Sequence, residues 1–183
     1  MTRDGRKRLT LILIVLLFAA PAIAAWLLHA ANWEPKATRN SGTLLQPAQD
    51  LKATRLVLDD GSRFAWKSPP DWQWTLLALP GPECAGRCTA RLDELRRERL
   101  TLNQNAGRLR VVVVDADLPA TTLDALQPLV HARDPDRTLN RFRALAADSV
   151  AAALVDPNGF AILTYAAGYD GNGMRKDLAH VVK

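Results

Sequence analysis

The apolar residues of this chain fall into one long N-terminal run and several short segments beyond it. No charged residue occurs between Arg8 and Glu34, and residues 9–31 are apolar apart from Thr10 and His29. A helix over this run is long enough to cross the ~30 Å hydrocarbon core of a bilayer. We therefore predict a single transmembrane anchor over residues 9–31.

The residues that flank this run predict its orientation. Residues 1–8 hold four basic residues and one acidic residue, and segments rich in Lys and Arg stay on the cytoplasmic side. Ala22-Ile23-Ala24 resembles a cleavage site, so a cleaved signal peptide is the alternative, although the apolar run continues past it. In either case the domain faces an oxidising compartment. We expect a bacterial inner-membrane protein with a single span, a cytoplasmic N-terminus and a periplasmic domain.

The polar stretch after the anchor predicts a linker over residues 32–53. It contains Pro35, Ser41-Gly42 and Pro47 and shows no clear periodicity. A folded domain is predicted over residues 54–183. It begins with two short apolar runs around Asp60-Gly61, a dipeptide that favours a β-hairpin.

Residues 74–114 carry the pattern of a strand, a helix and a second strand. The apolar run 74–79 ends at Pro80-Gly81-Pro82, and the leucines at 92, 95 and 100 then lie on roughly one face of a helix. Residues 111–114 are four consecutive valines, as expected of a strand that is buried on both faces. We therefore predict a βαβ unit with parallel strands.

The sequence after residue 114 predicts the elements that complete the domain. It predicts a short helix around residues 121–130, a helix over 139–147, a hairpin over 151–165 that turns at Pro157-Asn158-Gly159, and a terminal helix over 174–183. The order βαβ, helix, hairpin, helix is that of the thioredoxin fold. The predicted class is α/β, a thioredoxin-like domain with an N-terminal β-hairpin, preceded by one transmembrane helix.

The net charge of +5 does not indicate a nucleic-acid partner. Most of the excess lies in residues 1–8, and the rest of the chain is close to neutral. Because binding to a phosphate backbone requires a basic patch, we expect no nucleic-acid partner.

Cys84 and Cys88 are the only cysteines, and they stand between a predicted strand and the start of a predicted helix. A helix N-terminus favours the thiolate over the thiol, and Arg87 between them acts in the same direction. We predict a redox pair in which Cys84 is the more exposed nucleophile and Cys88 resolves the mixed disulfide. Gly86 gives the backbone the freedom that a disulfide between them needs. A structural disulfide, or two incidental core cysteines, is the alternative.

Three features of residues 54–183 match one family. They are the Asp60-Gly61 hairpin, the three residues between Cys84 and Cys88, and the hairpin Leu154-Val-Asp-Pro-Asn-Gly159 with Tyr165 after it. With these features the chain resembles the Sco/SenC group of membrane-anchored, thioredoxin-like proteins. The resemblance implies copper delivery and thiol chemistry in cytochrome c oxidase assembly. It implies Cys84 and Cys88 as copper ligands, and oxidase subunits or assembly factors as partners.

Asp148 departs from the family pattern, because it occupies the position of a copper-binding histidine. Copper(I) is soft, and a carboxylate is a hard, poor substitute for imidazole. We therefore consider Asp148 as a proton acceptor for a buried thiol. Its alternative is a loop residue or the cap of a nearby turn. His131, in a predicted polar loop, and His180, on the terminal helix, are expected to be surface residues rather than ligands.

The sequence leaves three kinds of function open. The first is an oxidase assembly factor that acts by thiol–disulfide or copper(I) chemistry at Cys84 and Cys88. The second is a general periplasmic thiol–disulfide oxidoreductase. The third is a non-catalytic interaction module with a structural disulfide.

Overall fold

The computed structural model describes residues 3–31, 40–67 and 72–183. By its internal contacts the chain divides into two units, residues 1–39 and 40–183. The predicted linker residues 32–39 lie outside the described part of the chain.

The first unit contains one long helix, α1 (Arg3–Ala30). Its segment Leu11–Ala30 has a mean hydropathy of 2.8, which makes it a candidate membrane span by length and composition. Its large apolar side chains are exposed, among them Phe18 at 77%. That exposure suits a helix whose surroundings are lipid, because apolar side chains are then in contact with hydrocarbon. The predicted anchor over residues 9–31 therefore coincides with a helix of the required length.

The second unit is built on a seven-stranded mixed sheet with strand order β1-β7-β6-β3-β4-β5-β2. Strands β3, β4 and β5 run parallel, and the other neighbouring pairs are antiparallel. The strands are β1 (Thr43–Asp50), β2 (Val57–Leu58), β3 (Trp74–Pro80), β4 (Leu109–Val114), β5 (Val130–Arg133), β6 (Val150–Val155) and β7 (Phe160–Tyr165). The helices are α2 (Gly86–Thr101), α3 (Ala120–Ala125) and α4 (Gly171–Val181), with 3₁₀ turns at Asn103–Arg108 and Asn140–Phe142.

Both faces of the central strands are buried, which explains their continuous apolar sequences. Alternate residues point to opposite faces. On one face, Leu76 and Val111 pack with Leu92 of α2 and Leu178 of α4. On the other face, the core is completed by loop residues and neighbouring strand positions, among them Leu51, Leu56, Phe64, Trp66, Leu77, Val112 and Leu139. The end of β3 is thereby held rigidly in the middle of the sheet.

Two predicted supersecondary units are present. β3, α2 and β4 form the βαβ unit, with Leu76 paired to Val111 in parallel register. β6 and β7 form the predicted hairpin, whose turn places Gly159 at φ +88°, a conformation that favours glycine. The turn at Asp60-Gly61 is also formed, with backbone hydrogen bonds between Leu56 and Phe64 and between Leu58 and Ser62. The fold is the predicted thioredoxin-like α/β class.

The linker prediction is wrong for residues 43–50, which form the edge strand β1 against β7. The start of this strand is fixed to α4 by the buried carboxylate of Asp177. That carboxylate accepts hydrogen bonds from the Ser41 and Gly42 amides, at 2.9 and 3.0 Å, and from the Tyr165 hydroxyl at 3.1 Å. The sequence of β1 does not alternate cleanly because most of its side chains are exposed and its pairing is interrupted between Leu44 and Gln49.

The region between β4 and β6 also differs from its prediction. The helix expected over 121–130 ends at Ala125, and residues 130–133 form β5. A strand of four residues is too short to show a clear hydrophobic period in the sequence. The helix expected over 139–147 is a single 3₁₀ turn. His131, predicted in a surface loop, lies on β5 with a side chain only 8% exposed.

The buried face of α2 includes an acid. Leu100, predicted to share a face with Leu92 and Leu95, is 51% exposed, whereas Glu98 is only 6% exposed. A period of 3.6 residues carries the face of Leu92 and Leu95 to Glu98 rather than to Leu100. Burial, then the nearby Glu94 carboxylate, raises the pKa of Glu98 to about 7. Among the described residues, Oε2 of Glu98 has no hydrogen-bond partner.

Glu98 is expected to make the stability of the domain depend on pH. Because its folded-state pKa is raised, the folded chain binds this proton more tightly, and stability falls as the pH rises from about 4.5 through about 7. Glu98→Gln cannot ionise, so it should stabilise the chain by about 1–3 kcal/mol at pH 8 and by much less at pH 5. Urea unfolding at both pH values measures this. Asp93→Asn, on the same helix, is the control: the Arg96 side chain lowers the pKa of Asp93, so its carboxylate is ionised at both pH values and its removal should have the same effect at each. An equal effect of Glu98→Gln at both pH values would contradict the assignment.

Candidate redox site

The cysteine pair lies where the central strand β3 meets helix α2. β3 ends at Pro80, and a turn over residues 81–85 leads to Gly86, the first residue of α2. Cys84 lies in this turn and Cys88 in the first turn of the helix, and the two form a disulfide with a Cα–Cα distance of 5.1 Å. This distance is ordinary for a disulfide. The pair therefore occupies the positively polarised end of α2.

The two cysteines differ in their access to solvent. Cys88 is fully buried in the core on the α2 side of the sheet. Cys84 is partly exposed and packs against the edge of the same core. Thiol–disulfide exchange requires that a sulfur of the client protein reach the sulfur of the cysteine. Cys84 is therefore the cysteine that can exchange with a client. This difference in exposure agrees with the prediction that Cys84 is the nucleophile and Cys88 the resolving cysteine. The two roles themselves remain predictions.

Asp148 lies against this turn although 60 residues separate it from Cys88. Its Oδ1 atom accepts hydrogen bonds from the backbone amides of Ala85 at 2.8 Å and Cys88 at 2.9 Å. Its Oδ2 atom accepts from the amide of Arg87 at 3.0 Å and from Arg87 Nε at 3.3 Å. No side chain at the N-cap position of α2 makes such a bond. Asp148 therefore caps α2 from another segment of the chain.

These contacts change the role predicted for Asp148. The amide of Cys88, followed by the amides of Arg87 and Ala85 and the Arg87 side chain, lowers the pKa of Asp148 to about 2. A carboxylate with that pKa, and with both oxygens engaged, is a poor proton acceptor at neutral pH. The prediction of a proton acceptor is therefore not supported by the geometry. The alternative, a cap, describes the contacts that are present.

The loop that carries Asp148 is fixed to the end of β3. The Gly81 amide donates to Ser149 O at 2.8 Å, and the Asp148 amide donates to Pro82 O at 3.0 Å. Gly81 packs so closely on this loop that a Cβ atom there would collide with the carbonyl oxygen of Ala146. Asp148 itself has a φ of +50°, which Asp tolerates better than most residues. The Pro-Gly-Pro turn thus positions both the cysteines and the carboxylate.

Arg143 connects the segments that carry the site, and it was not predicted from the sequence. Its Nη1 atom donates to Pro80 O at 2.9 Å and to Val114 O at 3.4 Å, and its Nη2 atom lies 2.7 Å from the carboxylate of Asp115. These bonds tie the ends of β3 and β4 to the loop that leads to Asp148. Asp115 directly after the four valines was a weak signal, because polar residues often follow buried strands at functional edges. No sequence signal marked Arg143.

Copper(I) with a third soft ligand does not fit these residues. In residues 3–31, 40–67 and 72–183, no group of three or more His, Cys, Asp or Glu side chains is arranged to hold a metal ion. Both carboxylate oxygens of Asp148 face backbone amides. His131 has its ring nitrogens 2.6 Å from Asp59 Oδ1 and 3.1 Å from Ala116 O. His180 is exposed on α4.

Comparison with known sequences identifies the family. The sequence profile of the family described as "Transmembrane-like, thioredoxin-like, C-terminal domain" matches residues 74–183, which is more than half of the chain. The chain belongs to this transmembrane-like, thioredoxin-like family. The match begins at the first residue of β3 and includes the whole redox site. No curated protein sequence matches the chain.

The solved structures that are similar to this chain include several Sco proteins. Yeast Sco1 with copper bound matches with a TM-score of 0.55 and 17% identity, over 69% of this chain and 88% of that chain. Arabidopsis thaliana ScoI with copper bound matches with a TM-score of 0.53 and 16% identity, over 69% and 94%. BsSco, described as a member of the Sco family of cytochrome c oxidase assembly proteins with a disulfide switch, matches with a TM-score of 0.52 and 14% identity, over 78% and 98%. At these identities the likeness shows a shared thioredoxin-like fold.

Proposed function

We propose that this chain is a membrane-anchored periplasmic protein that assists cytochrome c oxidase assembly by thiol–disulfide exchange at Cys84 and Cys88. One observation carries the chemistry: a disulfide joins a partly exposed cysteine to a buried one at the N-terminus of α2. The apolar helix α1, with basic residues before its apolar part, supports a single-pass anchor with the domain on the periplasmic side. The oxidase context is supported by the likeness to BsSco and by the spacing of the cysteines.

The exchange uses the two cysteines in sequence. In the reduced chain, the Cys84 thiolate attacks one sulfur of a client disulfide, and the other client sulfur leaves as a thiolate. The Cys88 thiol then loses its proton to solvent and attacks Cys84, which releases the second client thiol and leaves Cys84–Cys88 oxidised. The client has gained two electrons and the chain has lost two. A separate dithiol protein must return the chain to the reduced state.

A structural disulfide in an interaction module is the alternative, and the reduction potential distinguishes the two. We expect the full-length chain in detergent micelles to have a potential between about −270 and −120 mV, the range of active thioredoxin-fold proteins. A structural disulfide would lie below about −300 mV. Equilibration in redox buffers, followed by alkylation of free thiols, measures the potential. A value below −300 mV would overturn thiol exchange as the function.

Copper delivery is the other route to oxidase assembly, and the site lacks the third soft ligand for it. We expect the reduced chain to bind copper(I) weakly and only through its two thiolates. Asp148→His should raise the copper(I) affinity by at least about tenfold, because imidazole is a soft ligand and the carboxylate is not. A competition titration with a copper(I) chelator measures this, with Asp170→His, at the start of α4, as control. Tight binding by the unmodified chain would favour a copper role.

A further inference from the structure

Asp148 places a negative charge at the N-terminus of α2, a kind of position that stabilises cysteine thiolates in other proteins. The first turn of an α-helix has backbone amides without helical partners, and they attract anions. In α2 the amides of Ala85, Arg87 and Cys88 all donate to the carboxylate of Asp148, at 2.8–3.0 Å. The helix end is therefore already occupied by an anion that the protein supplies itself. A Cys84 thiolate would have to share it.

We propose that Asp148 is a positioning residue that holds a fixed negative charge on the backbone amides at the N-terminus of α2 and thereby favours the disulfide form of the Cys84–Cys88 pair over the reduced form. This deepens the proposed function, on which it rests, by naming the residue that sets the redox balance of the site. Asp148 does not exchange electrons or protons with a client. It acts on the cysteines through the amides that it occupies and through its charge.

The direction of the effect follows from the charges on the two redox forms. Reduction of the disulfide takes two electrons from a dithiol reductant. When Cys84 is left ionised, reduction also takes one proton and leaves a thiolate and a thiol. The disulfide is neutral beside Asp148, whereas the thiolate is a second anion at the same helix end. Like charges that share a site disfavour the charged form, so the Asp148 carboxylate on these amides opposes formation of a Cys84 thiolate and thereby opposes reduction.

Other charges near the site do not cancel this effect. Arg87 is paired with Asp148, but its side chain is 82% exposed, so its charge is screened by water. Arg143 is paired with Asp115 at 2.7 Å, and the two offset one another. Arg91, further along α2, is paired with Glu94 at 2.6 Å. Glu83 and Asp117, in the adjoining turns, are exposed acids. The Asp148 carboxylate is therefore the anion that directly contacts the amides of this helix end.

Asp148→Asn tests the proposal, because asparagine retains the size, an acceptor oxygen and the tolerance of positive φ while losing the charge. In the full-length chain in micelles, we expect the equilibrium constant for reduction at pH 8 to rise by about tenfold, which is about 30 mV. The difference should be smaller at pH 5 than at pH 8, because protonation removes the Cys84 thiolate that the Asp148 charge opposes. The reduced variant should also react with iodoacetamide at pH 7 several times faster than the unmodified chain.

Asp170→Asn is the matched control. Asp170 caps α4 through the amides of Asn172 and Gly173, at 3.2 and 3.0 Å, so this variant weakens the cap of a different helix and leaves the Asp148 cap of α2 in place. We expect its potential to equal that of the unmodified chain at both pH values. Asp148→Ser, a shorter neutral acceptor, provides a second variant if Asp148→Asn unfolds. A shift that is equal at pH 5 and pH 8, or no shift in either variant, would overturn the proposal. Failure of the proposed function would be seen separately, as a reduction potential of the unmodified chain below about −300 mV.

Discussion

Replacing Cys88 with serine is expected to trap a mixed disulfide between Cys84 and a client, whereas replacing Cys84 with serine is expected to abolish exchange completely. The difference follows from burial. Cys88 is fully buried, so a client sulfur cannot reach it, while Cys84 is partly exposed in the turn before α2. Without Cys88, the bond between Cys84 and the client has no second thiol to resolve it. Non-reducing electrophoresis of each full-length variant from its host membrane, followed by identification of the trapped protein, measures the outcome.

The two serine variants are controls for one another, because they remove one sulfur each from the same turn. A trapped complex that disappears on reduction and contains an oxidase subunit or assembly factor would support the oxidase context. Trapping by Cys84→Ser instead of Cys88→Ser would reverse the assigned roles. If neither variant traps a client while the chain cycles in redox buffer, the pair acts on small thiols or serves structure alone.

Much of the fold was predictable because strong periodicity marked its central elements. The run of residues 74–79, the valines 111–114 and the hairpin around Gly159 are buried or turn-forming in ways that leave clear patterns. β1 and β5 escaped prediction for opposite reasons. β1 is an exposed edge strand whose polar side chains resemble those of a linker, and β5 is too short for a period to emerge. Their places are decided by pairing with β7 and β4, which local sequence does not record.

The site was predictable in its cysteines but not in its carboxylate chemistry. Cys84 and Cys88 were identified by their spacing and by the strand and helix around them, and the structure joins them. Asp148 was identified through a family position, yet its role depends on three amides 60 or more residues away. Such a long-range cap has no local signature. Arg143 and its contacts with Pro80, Val114 and Asp115 are likewise determined only by the tertiary fold.

Gly81→Ala is expected to destabilise the domain and to loosen the redox site, whereas Gly86→Ala is not. A Cβ atom on Gly81 would collide with the carbonyl oxygen of Ala146 and lie 3.0 Å from that of Ala144. Both are backbone atoms, which cannot rotate away as a side chain could, so the loop before Asp148 must shift. Overpacking of this kind costs about 1–3 kcal/mol. Because the same shift draws Asp148 from the amides of α2, the effect extends to the cysteines.

Gly86 is the matched glycine, since it lies between the two cysteines at the first position of α2 and a Cβ atom there meets nothing within 4 Å. Gly86 does not adopt a positive φ, so the backbone freedom expected of it is not required for the disulfide. Alanine favours helix over glycine, so Gly86→Ala should stabilise the chain by up to about 1 kcal/mol and leave the potential unchanged. Urea unfolding and the reduction potential of both full-length variants measure this. If Gly81→Ala unfolds like the unmodified chain with an unchanged potential, the close packing of the Pro80-Gly81-Pro82 turn on the Asp148 loop does not control the site. If it loses stability and its potential rises, as expected when the carboxylate leaves the helix end, then this one backbone contact couples the stability of the domain to the redox balance of its cysteines.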